Sequence, residues 1–163
     1  MPELLDIYDK NGNRTDRQIE RGKPLQEDEY VFGVHVWIIN CKQEFLLTKR
    51  SEAKGHKWHG VGGMAAVGDD SFTTVLREVG EEVGITLDSV NGQIFKRHIF
   101  PSKSIIDVWV FRQNIDISKV VLQEEEACEV MLATKEEVMQ IIEEEIIDRW
   151  YPYLKELMDF YVS

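Results

Sequence analysis

Arg77-Glu78-Val79-Gly80-Glu81-Glu82-Val83-Gly84-Ile85 is the stretch on which the reading of this chain turns. On a helix advancing about 100° per residue, Glu81 falls about 60° to one side of Glu78 and Glu82 about 40° to the other. The three carboxylates therefore share one arc. Phe72, Val75, Leu76, Val79 and Val83 occupy a separate apolar arc centred roughly 115° away. Asp70 or Ser71 can cap such a helix over 72–83, and Gly84 can end it. Like charges three and four residues apart weaken a helix by roughly 0.2–0.5 kcal/mol per pair. A hard divalent cation reverses that penalty, because Mg²⁺ prefers carboxylate and water oxygens. On the glutamates alone a solvated acidic face is the simpler reading. The preceding residues shift the balance: Gly62-Gly63 close a short strand and Gly68-Asp69 stand just before the helix. Glycines let backbone N–H groups approach an anion closely, and Asp69 adds a fourth acid.

Outward from this segment, the pattern mixes strands and helices. Strands are predicted over 4–8, 31–39, 45–48, 61–66, 94–100, 105–111 and 128–133, with polar stretches over 14–28 and 51–60 as loops. Thr134-Lys135-Glu136-Glu137 has capping-box spacing and opens an acidic helix. Asp148 is expected to cap a last helix with Pro152 in its first turn, where Trp150, Tyr153, Leu154, Leu157, Met158 and Tyr161 form a packing stripe. The expected class is α/β (α+β), a mixed sheet covered by helices.

The 163 residues suit a single domain spanning 1–163, and 43% of them are apolar, an ordinary globular share. No apolar run is long enough to cross a membrane, and the acidic start does not resemble a secretory signal. Cys41 and Cys128 are read as buried thiols. A cytoplasmic setting is expected. The formal net charge of −11 disfavours nucleic-acid polymers and anionic membranes as partners. An anionic small molecule then needs a cation to bridge it to the protein. Lys49, Arg50, Lys54, His56, Lys57 and His59 cluster ahead of the acidic helix and could form an anion-attracting rim. His35 and His98 lie within strand patterns and are read as structural. The sequence leaves oligomeric state open, a homodimer being one option.

Residues 63–85 resemble the Nudix box, in which Gly, five residues, Glu, seven residues, Arg-Glu, apolar, any, Glu-Glu, any, Gly, apolar recur. Here the positions are Gly63, Asp69, Arg77, Glu78, Val79, Glu81, Glu82, Gly84 and Ile85. One departs, with Asp69 where the family has Glu, so its link to the helix is expected to be altered or water-mediated. Leu5-Asp6-Ile7-Tyr8-Asp9, Val34-His35-Val36-Trp37-Ile38 and Phe45-Leu46-Leu47-Thr48-Lys49-Arg50-Ser51 resemble the branch that also holds isopentenyl diphosphate isomerases. The likeness covers most of residues 3–137 and implies the Nudix α/β/α sandwich. The isomerases carry Cys-Gly-His where this chain has Gly62-Gly63-Met64, and a metal-binding histidine where it has Val31-Phe32, so their chemistry lacks its residues here.

What the resemblance implies is a metal-dependent hydrolase that directs water onto one phosphorus of a diphosphate, with Mg²⁺ as cofactor and Mn²⁺ as a substitute. Glu78, Glu81 and Glu82 would hold the metal, joined by a carbonyl of Gly62 or Gly63, and Arg77 would orient the carboxylates. Lys49, Arg50, Lys57 and Gly63 are candidate substrate contacts. Glu126, in the run Glu124-Glu125-Glu126, is a candidate general base. Family habit ranks nucleoside di- and triphosphates first, then nucleotide sugars and coenzyme-like diphosphates. The attached group would be read by 51–60 and 100–104, where Trp58 is a candidate to stack on a base, local packing being its commoner role. A competing reading is a Nudix fold that has lost activity and serves as a binding module.

Overall fold

The computed structural model describes residues 2–148 and 150–162. Among the described residues nine strands run in chain order: β1 (Leu4–Tyr8), β2 (Arg14–Glu20), β3 (Val31–Ile39), β4 (Phe45–Arg50), β5 (Trp58–His59), β6 (Val61–Met64), β7 (Gly92–Ile99), β8 (Ser104–Arg112) and β9 (Ala127–Ala133). Three α-helices accompany them: α1 (Ser71–Val83), α2 (Lys135–Glu143) and α3 (Leu154–Tyr161).

The central sheet is mixed. β3 and β8 pair in parallel over nine residues, while β7 pairs with β8, and β9 with β4, antiparallel. β3 and β4 leave their tight turn paired at Ile39↔Phe45 and then diverge. The β5–β6 segment fills the fork, β6 lying against β3 at Val61↔Val36 through Met64↔Gly33, and β5 against β4 at His59↔Thr48. This wedge brings Gly62-Gly63 to the base of the site.

Alternation along β3 sorts the two cores. Val34, Val36 and Ile38 face α1, where they bury Val75, Val79 and Val83. Trp37 and Ile39 face the other side, among Val138 and Ile141 of α2 and Leu154, Leu157, Met158 and Tyr161 of α3. Helices on both faces of a mixed sheet make the α/β/α sandwich that the sequence led us to expect. α1 begins where the Asp70 carboxylate accepts the Thr73 N–H at 2.8 Å, and ends at Gly84 in the left-handed conformation. The capping box at Thr134 forms with Glu137.

Several expectations need correction. Residues 14–20 are a strand, β2, paired with β1 in a separate hairpin. The stretch 51–60 holds a 3₁₀ turn, Glu52–Lys54, as well as β5. α3 starts at Leu154, so Pro152 precedes it and Asp148 does not cap it. Instead the Asp148 N–H donates to the Trp58 carbonyl at 2.8 Å. Both cysteines are exposed, Cys41 in the β3–β4 turn and Cys128 in β9 where its pairing with β4 slips register. Leu76 belongs to the exposed face of α1. Among the described residues no helix is long and apolar enough to cross a membrane.

Candidate active site

A cavity of about 840 Å³ opens over the C-terminal half of α1 and the fork in the sheet. Glu78, Glu81 and Glu82 line it together with Gly62, Gly63 and Arg77. The packing at its base is close: a Cβ on Gly63 would lie 2.3 Å from the Glu78 carboxyl carbon, so that carboxylate fills the space a side chain would occupy. Glu82 accepts the Gly62 N–H at 3.3 Å.

Arg77 organises the acids. Its guanidinium donates to Asp69 at 3.2 Å, Glu78 at 2.9 Å, Glu81 at 3.4 Å and the Met64 carbonyl at 2.9 Å. The shorter Asp69 side chain therefore reaches Arg77 directly, where an altered or water-mediated link was expected. Burial pushes the Glu78 carboxyl up to about 6, against the pull of Arg77. Burial and the neighbouring Glu78 charge push Glu82 up to about 8, against the Gly62 N–H. Both shifts have one cause: carboxylates withdrawn from water with too little positive charge nearby.

Among the described residues no three acidic, histidine or cysteine side chains already converge as a cation cage, because Arg77 and the Gly62 N–H engage these oxygens. The donor set nonetheless fits a hard divalent cation in kind. It is all oxygen, two of its members are desolvated and under-neutralised, and the half-exposed Glu81, held at only 3.4 Å, can swing.

The cationic rim is only partly as expected. Arg50 lines the cavity, held by Asp148 at 2.9 Å. Lys49 and Lys57 are not among its lining residues. Lys49 points away, 3.9 Å from Glu129 and over the ring of Trp58, which packs against the α3-side core. Lys57 is exposed. Lys54 lines the cavity, 3.7 Å from Glu126, which lies on the same wall with Glu125. The Ser51 N–H and hydroxyl donate to the carbonyls of Glu126 and Glu125 at 3.0 Å each, fixing that acidic turn against the end of β4. Sequence reasoning missed Glu3, Arg21 and Tyr151, all of which line the cavity. Arg21 falls in a polar stretch without periodicity, and nothing local marks it.

Two histidines, His35 and His59, line the cavity but are fixed by their own hydrogen bonds. The Tyr153 hydroxyl accepts the buried Trp37 indole N–H at 3.0 Å and is hydrogen-bonded to His35 Nδ1 at 2.7 Å. Burial lowers the His35 pKa to about 3. His59 is held at both nitrogens, by Thr48 and the Gly60 carbonyl, and burial lowers it to about 4. Neither cysteine lines the cavity.

A mixed sheet between helices, with a glycine strand end facing a helix of clustered glutamates, defines a class of phosphoanhydride-cleaving proteins, and comparison with known proteins agrees. The NUDIX domain matches residues 29–154. An uncharacterized Nudix hydrolase of Listeria innocua is 31% identical over 140 residues, covering 83% of this chain and 82% of that protein. The chain belongs to the Nudix family of hydrolases. Among solved structures, DR0079 from Deinococcus radiodurans shares the fold, with TM-score 0.76, 19% identity, and coverage of 99% of this chain and 100% of that one. The MutT protein from Methanosarcina mazei Go1 aligns with TM-score 0.62 and 29% identity over 85% of this chain and 96% of that one. A bifunctional NMN adenylyltransferase/ADP ribose pyrophosphatase from Francisella tularensis, complexed with AMP and a Mn ion, aligns with TM-score 0.66 and 17% identity over 85% of this chain and 43% of that one.

Proposed function

We propose that this chain acts as one domain and is a divalent-metal-dependent pyrophosphohydrolase that cleaves the diphosphate of a nucleoside-diphosphate-linked or related small molecule. The observation that carries the proposal is the pair of water-deprived carboxylates, Glu78 and Glu82, beside Glu81 at the base of a cavity bordered by Arg50 and Lys54. Acids so placed gain most from a cation and least from solvation. Glu78, Glu81 and Glu82 would hold it, with a Gly62 or Gly63 carbonyl in reach of the same space. A bound Mg²⁺ or Mn²⁺ supplies neutralisation of the phosphate charge that grows as the bond breaks.

The chain's own residues divide the remaining work. Arg77 keeps Glu78 and Glu81 oriented by charge-assisted hydrogen bonds. Arg50 and Lys54 present donors to diphosphate oxygens, and the Gly63 backbone allows close approach. Glu126 is our candidate to take the proton from the attacking water: it faces the cavity, and its charge is felt by Glu82. The Francisella protein is a bifunctional NMN adenylyltransferase/ADP ribose pyrophosphatase, which makes ADP-ribose a sensible member of a substrate panel.

The test is release of phosphate or mononucleotide from a panel of diphosphate compounds with Mg²⁺ or Mn²⁺, comparing wild type with Glu81→Gln and Glu82→Gln. Metal-dependent turnover that either substitution cuts by about 10² or more, in folded protein, supports the reading. A wild type that cuts nothing, with no metal-dependent thermal stabilisation, would move the chain to the inactive binding modules.

A further inference from the structure

Four cationic side chains border the cavity: Arg21, Arg50, Lys54 and Arg77. They differ in how firmly they are engaged. Arg77 is bound by three carboxylates and a carbonyl. Arg50 is tied to Asp148, whose side chain is only 14% exposed. Lys54 meets Glu126 at 3.7 Å in an exposed pair on the far wall. Arg21 meets only Glu3 among the described acids, at 3.1 Å, with both side chains more than half exposed. An exposed ion pair of this kind is worth little and exchanges readily.

Arg21 comes from the N-terminal hairpin, outside the matched domain at 29–154. The hairpin is nonetheless fastened to the loop that leads into α1. The Asp6 carboxylate accepts the Gly68 N–H at 2.8 Å, and Arg14 donates to the Asp69 carbonyl at 3.1 Å. The Arg21 N–H donates to the Glu3 carbonyl at 2.8 Å, which fixes the base of its side chain at the cavity edge. Arg21 and Glu78 line the same cavity. Arg21 therefore stands on the carboxylate side of the cavity, where the diphosphate must sit.

We propose that Arg21 is a substrate-binding residue supplied by the hairpin, which leaves Glu3 to grip a phosphate of the diphosphate substrate. A planar guanidinium suits paired phosphate oxygens. Glu3 holds the side chain in a neutral pair until the more highly charged anion displaces it. This assignment rests on the pyrophosphohydrolase reading for its ligand.

The experiment measures kcat and KM on the best panel compound, and the affinity for inorganic pyrophosphate with Mg²⁺ by calorimetry. The proteins are wild type, Arg21→Ala, Arg21→Lys, Glu3→Gln and Arg17→Ala. Arg17 lies on β2, four residues before Arg21, but pairs with Glu29 at 2.8 Å and does not line the cavity, so it controls for hairpin integrity. Arg21→Ala should raise KM about tenfold, the low end for a charged hydrogen bond because Arg21 is exposed, with kcat within about twofold. Arg21→Lys should recover part of the loss, Glu3→Gln should lower KM, and Arg17→Ala should leave KM unchanged. An unchanged KM in Arg21→Ala overturns the proposal while leaving the hydrolase reading intact, and so does an equal rise in Arg17→Ala. If wild type cuts nothing, the hydrolase reading fails and pyrophosphate affinity alone decides Arg21: a tenfold loss in Arg21→Ala supports the contact and no loss refutes it.

Discussion

Replacing Gly63 with alanine should separate activity from stability. The new Cβ would lie 2.3 Å from Glu78 Cδ and 2.4 and 2.5 Å from its two oxygens. Comfortable contact begins at about 3.5 Å, so the carboxylate must retreat by about 1 Å. The obstacle is the far end of a flexible side chain, and Gly63 is not one of the glycines with positive φ, so alanine suits the backbone. The retreat breaks the 2.9 Å bond from Arg77 to Glu78, a loss of about 1–2 kcal/mol. Displacing a positioned group by about 1 Å can cost about 10² in rate. We therefore expect kcat to fall by about that factor while the protein folds with a modestly lower Tm. Gly80→Ala is the matched control. No atom lies within 4 Å of the added methyl, the site is an exposed turn of α1, and stability should rise by about 0.5–1 kcal/mol with activity kept. The reasoning is refuted if Gly63→Ala retains more than half of wild-type kcat with unchanged metal dependence.

Three further outcomes follow from particular contacts. His59 is 5% exposed and held neutral, its pKa lowered from 6.5 to about 4, so the unfolded chain takes up a proton first as pH falls. The His59 contribution should be full above about pH 6.5 and be lost, up to about 3 kcal/mol, between there and about pH 4; buried His35, lowered to about 3, adds its own loss over the same range, so His59→Gln should make the slope shallower without abolishing it in urea titrations at several pH values. Tyr153→Phe leaves the fully buried Trp37 N–H without its acceptor, and equilibrium unfolding should show a loss of about 1–3 kcal/mol with little change in KM. Asp70→Ala removes the α1 cap and should cost about 1 kcal/mol, read as a lower Tm.

What was legible in the sequence was what is local. The acids of α1 lie within five consecutive residues, and helical periodicity alone puts them on one arc. The β3 and β8 strands show as apolar runs because both of their faces are buried. β2 did not show, because Arg14-Thr15-Asp16-Arg17-Gln18-Ile19-Glu20 is polar on both faces and is held by its pairing with β1. The rim failed for a related reason. Lys49 and Arg50 are adjacent on one strand, so their side chains leave in opposite directions, and only the surrounding sheet decides which faces the cavity. Apolar neighbours suggested that Cys128 was buried, but it stands exposed where the pairing of β9 with β4 slips register. Arg21 is brought to the site by a contact across 62 residues of chain, Asp6 to Gly68, which no local pattern encodes.

The alternation along β3 also sets where the chain tolerates a change in length. One residue added within 31–39 would turn every later side chain to the opposite face. Trp37 would then be driven under α1, and Ile38 would be sent toward Tyr153, so both cores would fail together. The exposed stretch at 52–57 carries no such phase, and the Gly55 N–H already closes its own small turn on Glu52. Insertions during divergence or engineering should therefore accumulate beside the cavity mouth and be purged from the strand beneath it, leaving the outline of the pocket free to vary over an invariant frame.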